Sequence, residues 1–400
     1  MATKDKKLKF GRDTKGSRAE KLASVVSGAN KEFGKAIMLS PMDDSLRVVP
    51  RVSTSLYGLD VATNGGLPIG RVTMVYGLQG SGKTMLLLRS LANAQRLCAN
   101  CYGPGVFVDG EIEIPNLKTG KIESVKTKVI ESCPCGKPRD MIVLWVDAEN
   151  VWETSWSKRL GVWAEKVILV KPSYGEQAYD LISAFVLTKE LDLIGIDSLA
   201  QLTPIDEYDA AMGEQFQGLA ARMNNKFLRK LIGGMCDAFT DGRPITLWMV
   251  NQYREKIGVM FGPSEVLPGG KGQQFATSLE IETRRGKVDI DKEAGEALIG
   301  NFAWTVKKNK VGVPGGRGEY QICLAQTDLF DIGDLMEHES VIAKAVDLGF
   351  IERPSSSMYE MDGKKFRGKS QLVRYLGENP ERYVDLKIEM ARAKLGIGDD

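Results

Sequence analysis

The octapeptide Gly77-Leu78-Gln79-Gly80-Ser81-Gly82-Lys83-Thr84 has the residue types and spacing of a phosphate cradle, G-x-x-x-x-G-K-[ST]. Its glycines let the backbone curl until successive N–H groups face phosphate oxygens. A helix opening at Met85 adds the partial positive charge of its N-terminus. Lys83 would reach the β- and γ-phosphates of a nucleotide, and the Thr84 hydroxyl would ligate Mg²⁺. Two acids extend this chemistry. Glu149 follows the apolar run 141–146, at the end of a strand beside the cradle, where a carboxylate can polarise an attacking water. Asp197 closes the run 191–196 and would hold Mg²⁺ directly or through water.

Four of the six cysteines form a second chemical cluster. Cys98-x-x-Cys101 and Cys133-x-Cys135 stand at the two ends of a stretch whose segments 105–108 and 122–129 alternate like a β-ribbon, separated by a turn at 116–120. Two cysteine pairs joined across a ribbon suit a tetrahedral thiolate site for structural Zn²⁺, although Cys-x-Cys is tighter than the usual spacing. The plain alternative is four reduced thiols. A closed four-sulfur site has no open coordination position, so its expected role is a fold staple or a DNA or protein contact.

The elements that must hold these groups alternate in the α/β manner. A strand at 71–76 precedes the cradle and a helix at 85–97 follows it. Strands at 141–146, 167–170, 191–196 and 245–250 alternate with helices at 152–160, 176–189 and 219–238. Further strands are expected at 278–283, 301–307 and 320–325. The 43 residues 98–140 exceed what a crossover needs and read as an insert. The loop 253–272 is long, with basic, apolar and glycine residues that suit a nucleic-acid backbone and base stack. Residues 1–21 hold eight Lys or Arg against three acids and read as a basic arm. A helix at 18–33 with one apolar face and a strand at 35–40 follow. From 331 onward, helices flank a hairpin turning on Asp362-Gly363, and the lone His338 is expected to be structural.

Composition sets the outer bounds. With 43% hydrophobic residues the chain can bury a sizeable core, and 54 Lys and Arg against 52 Asp and Glu do not announce nucleic acid by bulk charge. No apolar run approaches the roughly 20 residues of a membrane span. The charged N-terminus lacks a secretion signal's apolar core, so a reducing cytoplasmic setting is expected.

In this order the motifs resemble the RecA family of ATP-dependent homologous-recombination proteins over about residues 20–395. The resemblance rests on Asn30-Lys31-Glu32-Phe33-Gly34-Lys35, Leu67-Pro68-Ile69-Gly70-Arg71, Val146-Asp147-Ala148-Glu149, Leu219-Ala220-Ala221-Arg222-Met223, Asn251-Gln252 through Lys256-Ile257-Gly258 to Gly269-Gly270, and Val306-Lys307-Lys308-Asn309-Lys310. It implies a P-loop ATPase core at 46–330 with a central, mostly parallel sheet. An N-terminal polymerisation segment within 1–45, the zinc-ribbon-like insert 98–140 and a small α/β DNA-accessory unit at 331–400 complete the expected organisation.

The resemblance also assigns roles. Glu149 would be the general base, with Lys83, Thr84 and Asp197 holding phosphate and Mg²⁺. Gln252 would sense the γ-phosphate, and Glu153 and Trp156 would contact and stack the adenine. Lys308 and Lys310 would act on a neighbouring subunit's ATP. Arg222, Asn225, Arg229, Arg254, Lys256, Gly269, Gly270 and Lys271 would meet DNA phosphates, and Ile257 would wedge between base triplets. The implied partners are single- and double-stranded DNA and further copies of the chain in a helical filament, with no membrane. Gln217 stands where the family has an intercalating Met, and only Asp399 and Asp400 remain of its acidic tail. The cysteine insert, which is no part of the family's usual pattern, points to a phage or other divergent source. The rival expectations are a ring-forming motor of the same fold and a protein whose ATP serves assembly alone.

Overall fold

The computed structural model describes residues 17–33, 48–211, 214, 216, 218–255, 265–290 and 297–395. Residues 1–16 of the arm, the expected strand 35–40, and Gln217, Lys256, Ile257, Asp399 and Asp400 lie outside the described residues.

Eight strands, numbered here in chain order, form the main sheet: β1 Val72–Gly77, β2 Val143–Asp147, β3 Val167–Val170, β4 Leu193–Asp197, β5 Thr246–Gln252, β6 Leu279–Ile290, β7 Ala297–Asn309 and β8 Arg317–Cys323. They lie in the order β8-β7-β6-β1-β5-β4-β2-β3. From β6 to β3 every pairing is parallel, while β6–β7 and β7–β8 are antiparallel. This is the mostly parallel α/β sheet expected. Strands covered on both faces must be apolar throughout, and β1, β2 and β4 are buried at every residue. One face packs Val75, Trp145, Trp248 and Ile281 against Leu86, Leu87 and Leu91 of the helix Lys83–Ala94. The other packs Met74, Leu144, Ile194 and Met249 against Ile182 of Gly175–Thr188 and against Phe227 and Leu231 of Leu219–Thr240. Each such aliphatic side chain contributes about 1.5–3 kcal/mol by burial.

Three expectations need correction. The strands expected at 278–283 and 301–307 are longer, because β6 and β7 form a hairpin running past the sheet. Its outer residues, Arg284 to Lys287, are exposed, so no apolar run marked the extension. The ribbon in the insert is also longer, pairing Val106–Pro115 with Ile122–Ser132. The loop at 253–272 is not bare: Arg254–Glu255 pairs with Glu265–Val266 at its base, and the short helix Gly272–Ala276 follows.

Residues 338–395 carry a separate cluster in which Val341, Ile342, Leu372, Leu376 and Leu386 surround Tyr57 of the helix Tyr57–Ala62. The hairpin turns at Asp362 and Gly363, both at positive φ (52° and 71°), as an Asp-Gly turn requires. His338 is buried and stacked on Tyr383 with ring centroids 4.0 Å apart. Burial, with nearby Lys387, pushes its pKa down to about 4, so it sits there as a neutral packing ring. The helix Arg18–Phe33 leaves Leu22 and Val26 58% and 44% exposed.

Candidate nucleotide site and cysteine centre

In an open parallel sheet the carboxyl ends of the strands form the ligand edge. Here β1, β2, β4 and β5 bring four chemical groups to that edge. Gly77 ends β1 and pairs in register with Gln252 at the end of β5, while Asp147 pairs with Asp197 at the ends of β2 and β4. The cradle closes with Gly82 at φ 82°, a left-handed conformation that glycine adopts without strain. Lys83 and Thr84 then open the helix Lys83–Ala94. Lys83 Nζ donates to Leu78 O at 2.7 Å. Burial lowers the Lys83 pKa, while Glu149 and Asp197 pull it back up.

The Thr84 hydroxyl donates to Asp197 Oδ2 at 2.6 Å. Asp197 is 1% exposed, and its Oδ1 is buried without a hydrogen-bond partner. Burial pushes its pKa up to about 7; Thr84 and Lys83 counter this, and Glu149 and Asp147 add to it. A buried carboxylate oxygen lacking a partner beside a hydroxyl is a poor arrangement for a fold and a good one for a hard cation. The donor set fits Mg²⁺.

Glu149 is half-buried, and its Oε1 accepts from Ser198 Oγ at 2.5 Å and from Gln252 Nε2. The backbone aims it. Ala148 N and Glu149 N both donate to Asp197 O, at 2.7 and 3.2 Å, stitching β2 to β4 beyond their last paired residues. The Asp147 carboxylate then accepts from Val151 N and Trp152 N, both at 2.9 Å, which fixes the turn carrying Glu149. Sequence reasoning missed Asp147 and Ser198 as partners. Their only signal was their position beside an acid at a strand end.

Glu153 and Trp156 occupy the next element. Glu153 is the N-cap of the helix Thr154–Arg159, accepting from Ser155 N at 3.0 Å and Trp156 N at 2.5 Å. Trp156 is half-buried, its ring lying against Gly333. Lys308 and Lys310 are at the opposite end of the sheet. Lys308 pairs with Glu280, whose register partner on β1 is Met74, and its ammonium lies 3.6 Å from the Glu280 carboxylate. Lys310 Nζ donates to Phe275 O at 2.9 Å.

The two segments expected to meet DNA come together. Arg222, Asn225 and Arg229 lie along the first turns of the helix Leu219–Thr240, with Arg222 and Arg229 exposed. Gly269 and Gly270 press against it: a side chain on Gly269 would meet Asn224, and one on Gly270 would meet Ala221. Asn225 Oδ1 is buried there without a partner, and Lys271 is exposed. Arg254 donates to Ala200 O at 2.7 Å, beside the strand end that carries Asp197.

At the base of the sheet, the sulfurs of Cys98, Cys101, Cys133 and Cys135 all lie within 4.8 Å of one another. None is in a disulfide. A tetrahedral zinc site places its sulfurs about 3.8 Å apart, so the four thiols fit such an ion with small adjustments. Among the described residues, no helix is long and apolar enough to cross a membrane.

The family model of the RecA N-terminal domain matches residues 20–129 and 118–327 of this chain, its two segments meeting within the insert. The curated "Protein RecA" of Aquifex aeolicus (strain VF5) is 32% identical over 381 residues, covering 94% of this chain and 93% of that protein. That of Colwellia psychrerythraea (strain 34H / ATCC BAA-681) is 30% identical over 393 residues, covering 96% and 97%. That of Pseudomonas syringae pv. syringae (strain B728a) is 31% identical over 368 residues, covering 91% and 88%. With matches along nearly its whole length, and a phosphate cradle, a cation-ready aspartate and a braced glutamate at one sheet edge, the chain belongs to the RecA family.

Proposed function

We propose that this protein is a DNA-dependent ATPase that assembles as a helical filament on single-stranded DNA and catalyses homologous pairing and strand exchange. The observation that carries the reading is the bond from Gln252 to Glu149. Gln252 ends β5, and the chain leads from it through Arg254 into the loop that returns at Gly269-Gly270. One amide therefore touches the acid that would activate water and begins the segment that would hold DNA. Nucleotide state and loop position share a part, which is the requirement for a ligand switch.

Glu149 acts as general base toward the attacking water, with Ser198 and Gln252 orienting its carboxylate. The cradle N–H groups and Lys83 bind the phosphates and Thr84 and Asp197 hold Mg²⁺, which when bound neutralises charge developing on them. Lys308 and Lys310 do not serve their own subunit's nucleotide. Lys308 is level with Met74, three strand residues or roughly 10 Å below the cradle. They act across an interface, on the ATP of the next copy. The exposed apolar stripe of the helix Arg18–Phe33 supports such an assembly. Arg222, Asn225, Arg229, Arg254, Gly269, Gly270 and Lys271 form the DNA-facing group, joined by Lys256 and Ile257. Glu153 and Trp156 border the adenine, and the four cysteines hold a structural Zn²⁺.

ATP hydrolysis measured with and without single-stranded DNA, alongside a strand-exchange assay, tests the reading. Stimulated hydrolysis and joint molecules are expected. Folded protein that binds ATP yet yields no exchange products overturns it, as do closed rings in place of filaments in micrographs. Mixing Glu149→Gln subunits with Lys308→Ala/Lys310→Ala subunits tests the interface. Partial activity in the mixture, where each alone is inactive, is expected if the lysines act in trans.

A further inference from the structure

The insert leaves the core at Cys98 and returns at Arg139, and these two points touch. Ala99 N donates to Arg139 O at 2.9 Å, and Arg139 Nη2 donates back to Ala99 O at 3.1 Å. Arg139 Nε donates to Asn100 Oδ1 at 2.9 Å, while Asn100 Nδ2 donates to Lys137 O at 2.7 Å. Asn100 N donates to the Cys98 sulfur at 3.4 Å. The two cysteine pairs and Arg139 thus form one knot at the neck of the insert.

From that knot the Arg139 fork crosses to the main sheet. It grips Asp192 with Nη2–Oδ1 at 2.6 Å and Nη1–Oδ2 at 3.3 Å. Asp192 side chain is 5% exposed and immediately precedes β4. Its Oδ2 also accepts from Ile142 N, at the start of β2, at 2.9 Å. Its backbone joins the start of β5 through Thr246 N to Asp192 O at 2.8 Å. One residue therefore gathers the base ends of the strands whose other ends carry Glu149, Asp197 and Gln252, its carboxylate holding β2 and its backbone carbonyl holding β5.

The rest of the insert does not look like a DNA contact. Residues 98–140 carry six Lys or Arg and six Asp or Glu, a balance that gives no pull on phosphate. Of the charges lining the cleft of about 780 Å³ between ribbon and core, Asp109 pairs with Lys128 and Lys158 with Glu165.

We propose that Arg139 is a positioning residue that locks the metal-bearing neck of the insert onto the base of the main sheet through Asp192, making metal retention and sheet anchorage one coupled property. The proposal rests on the reading of the four cysteines as a zinc site. Partners just outside a metal's ligands commonly change its affinity 10–100-fold, and here the outer partner is the core of the ATPase. Because linkage is reciprocal, a change at Asp192, on the far side of Arg139 from the sulfurs, must loosen the metal.

The test is zinc release from the intact chain to a chromophoric chelator. Arg139→Ala and Asp192→Asn are expected to release zinc about tenfold faster or more than the parent protein. Arg139→Lys, which keeps the charge and loses the fork, is expected in between, a partial rescue that loss of packing alone would not produce. Asn100→Ala, an exposed change that removes one prop of Arg139, supplies the readout should the buried variants fail to fold. Release at the parental rate in the folded variants overturns the coupling and leaves the zinc reading standing. A parent protein purified without zinc overturns the zinc reading itself, and the coupling with it.

Discussion

Asp192 and Asp197 stand five positions apart beside one strand, both nearly sealed from water, and their surroundings are opposite. At the base, both Asp192 oxygens are used, by the Arg139 fork and by Ile142 N. At the ligand edge, Asp197 has one oxygen on Thr84 and one with no partner. Burial raises both pKa values, but Arg139 pulls Asp192 back, whereas Glu149 and Asp147 push Asp197 further. The base is complete as a fold. The ligand edge leaves a buried acid oxygen unused, as a fold alone would not.

The largest expected effect is at the ligand edge. Glu149→Gln keeps the hydrogen-bond acceptor but cannot take a proton, so hydrolysis falls by about 10²–10⁴-fold while nucleotide binding persists. Steady-state turnover and binding of a fluorescent nucleotide separate the two; unchanged turnover removes Glu149 from the chemistry. Next is the base. Asp192→Asn leaves Arg139 facing a neutral amide, and breaking a buried pair costs roughly 3–5 kcal/mol. The lower figure is expected, because the Arg139 side chain keeps 22% of its surface exposed. Denaturant unfolding reads it, and equal or higher stability would break the contrast between the two ends.

Of these two ends, only the ligand edge was legible in the sequence. The cradle has a fixed spacing, and an apolar run ending in Asp announces a buried strand whose end lies beside it, so the meeting of Lys83, Thr84, Asp197 and Glu149 could be expected in advance. Arg139 and Asp192 gave no such signal: a basic residue closing a polar insert and an acid opening an apolar run are ordinary, and their meeting depends on strand order. The Ser198 and Gln252 bonds to Glu149 were hidden likewise, because they join strand ends about 50 and 100 residues apart. The β6–β7 hairpin was underestimated because exposed strands beyond a sheet need no apolar run. The four cysteines were legible as a cluster, and their place at the base of the sheet was not.

A smaller effect, opposite in sign to that of Asp192→Asn, is expected for the same substitution at Asp197. With its pKa raised to about 7 in the folded state, Asp197 binds a proton more readily folded than unfolded. Its contribution is therefore present at low pH and is lost as pH rises through about 7. Asp197→Asn removes that loss, so the nucleotide-free variant is expected to be more stable than the parent at pH 8, by about 1–4 kcal/mol at most. The gap is expected to close at low pH, and to reverse when Mg²⁺ and ATP stabilise the parent alone. A variant less stable than the parent at pH 8 would show that Asp197 is satisfied as a fold residue.

The smallest effect is at Glu153, where two roles compete for one carboxylate. The structure gives it a cap: its oxygens accept from Ser155 N, Ser155 Oγ and Trp156 N. The family resemblance gives it an adenine contact. An N-cap works equally well with the shorter acid, since Asp is among the preferred capping residues. Glu153→Asp is therefore expected to keep the melting temperature and Glu153→Ala to lower it slightly. An adenine contact depends on reach, which Asp lacks, so both variants would then raise the KM for ATP. If KM rises only in Glu153→Ala, together with the loss of stability, the carboxylate acts by holding the helix that carries Trp156. The ligand edge then has a satisfied acid of its own, and the contrast with the base narrows to the groups that touch phosphate and metal.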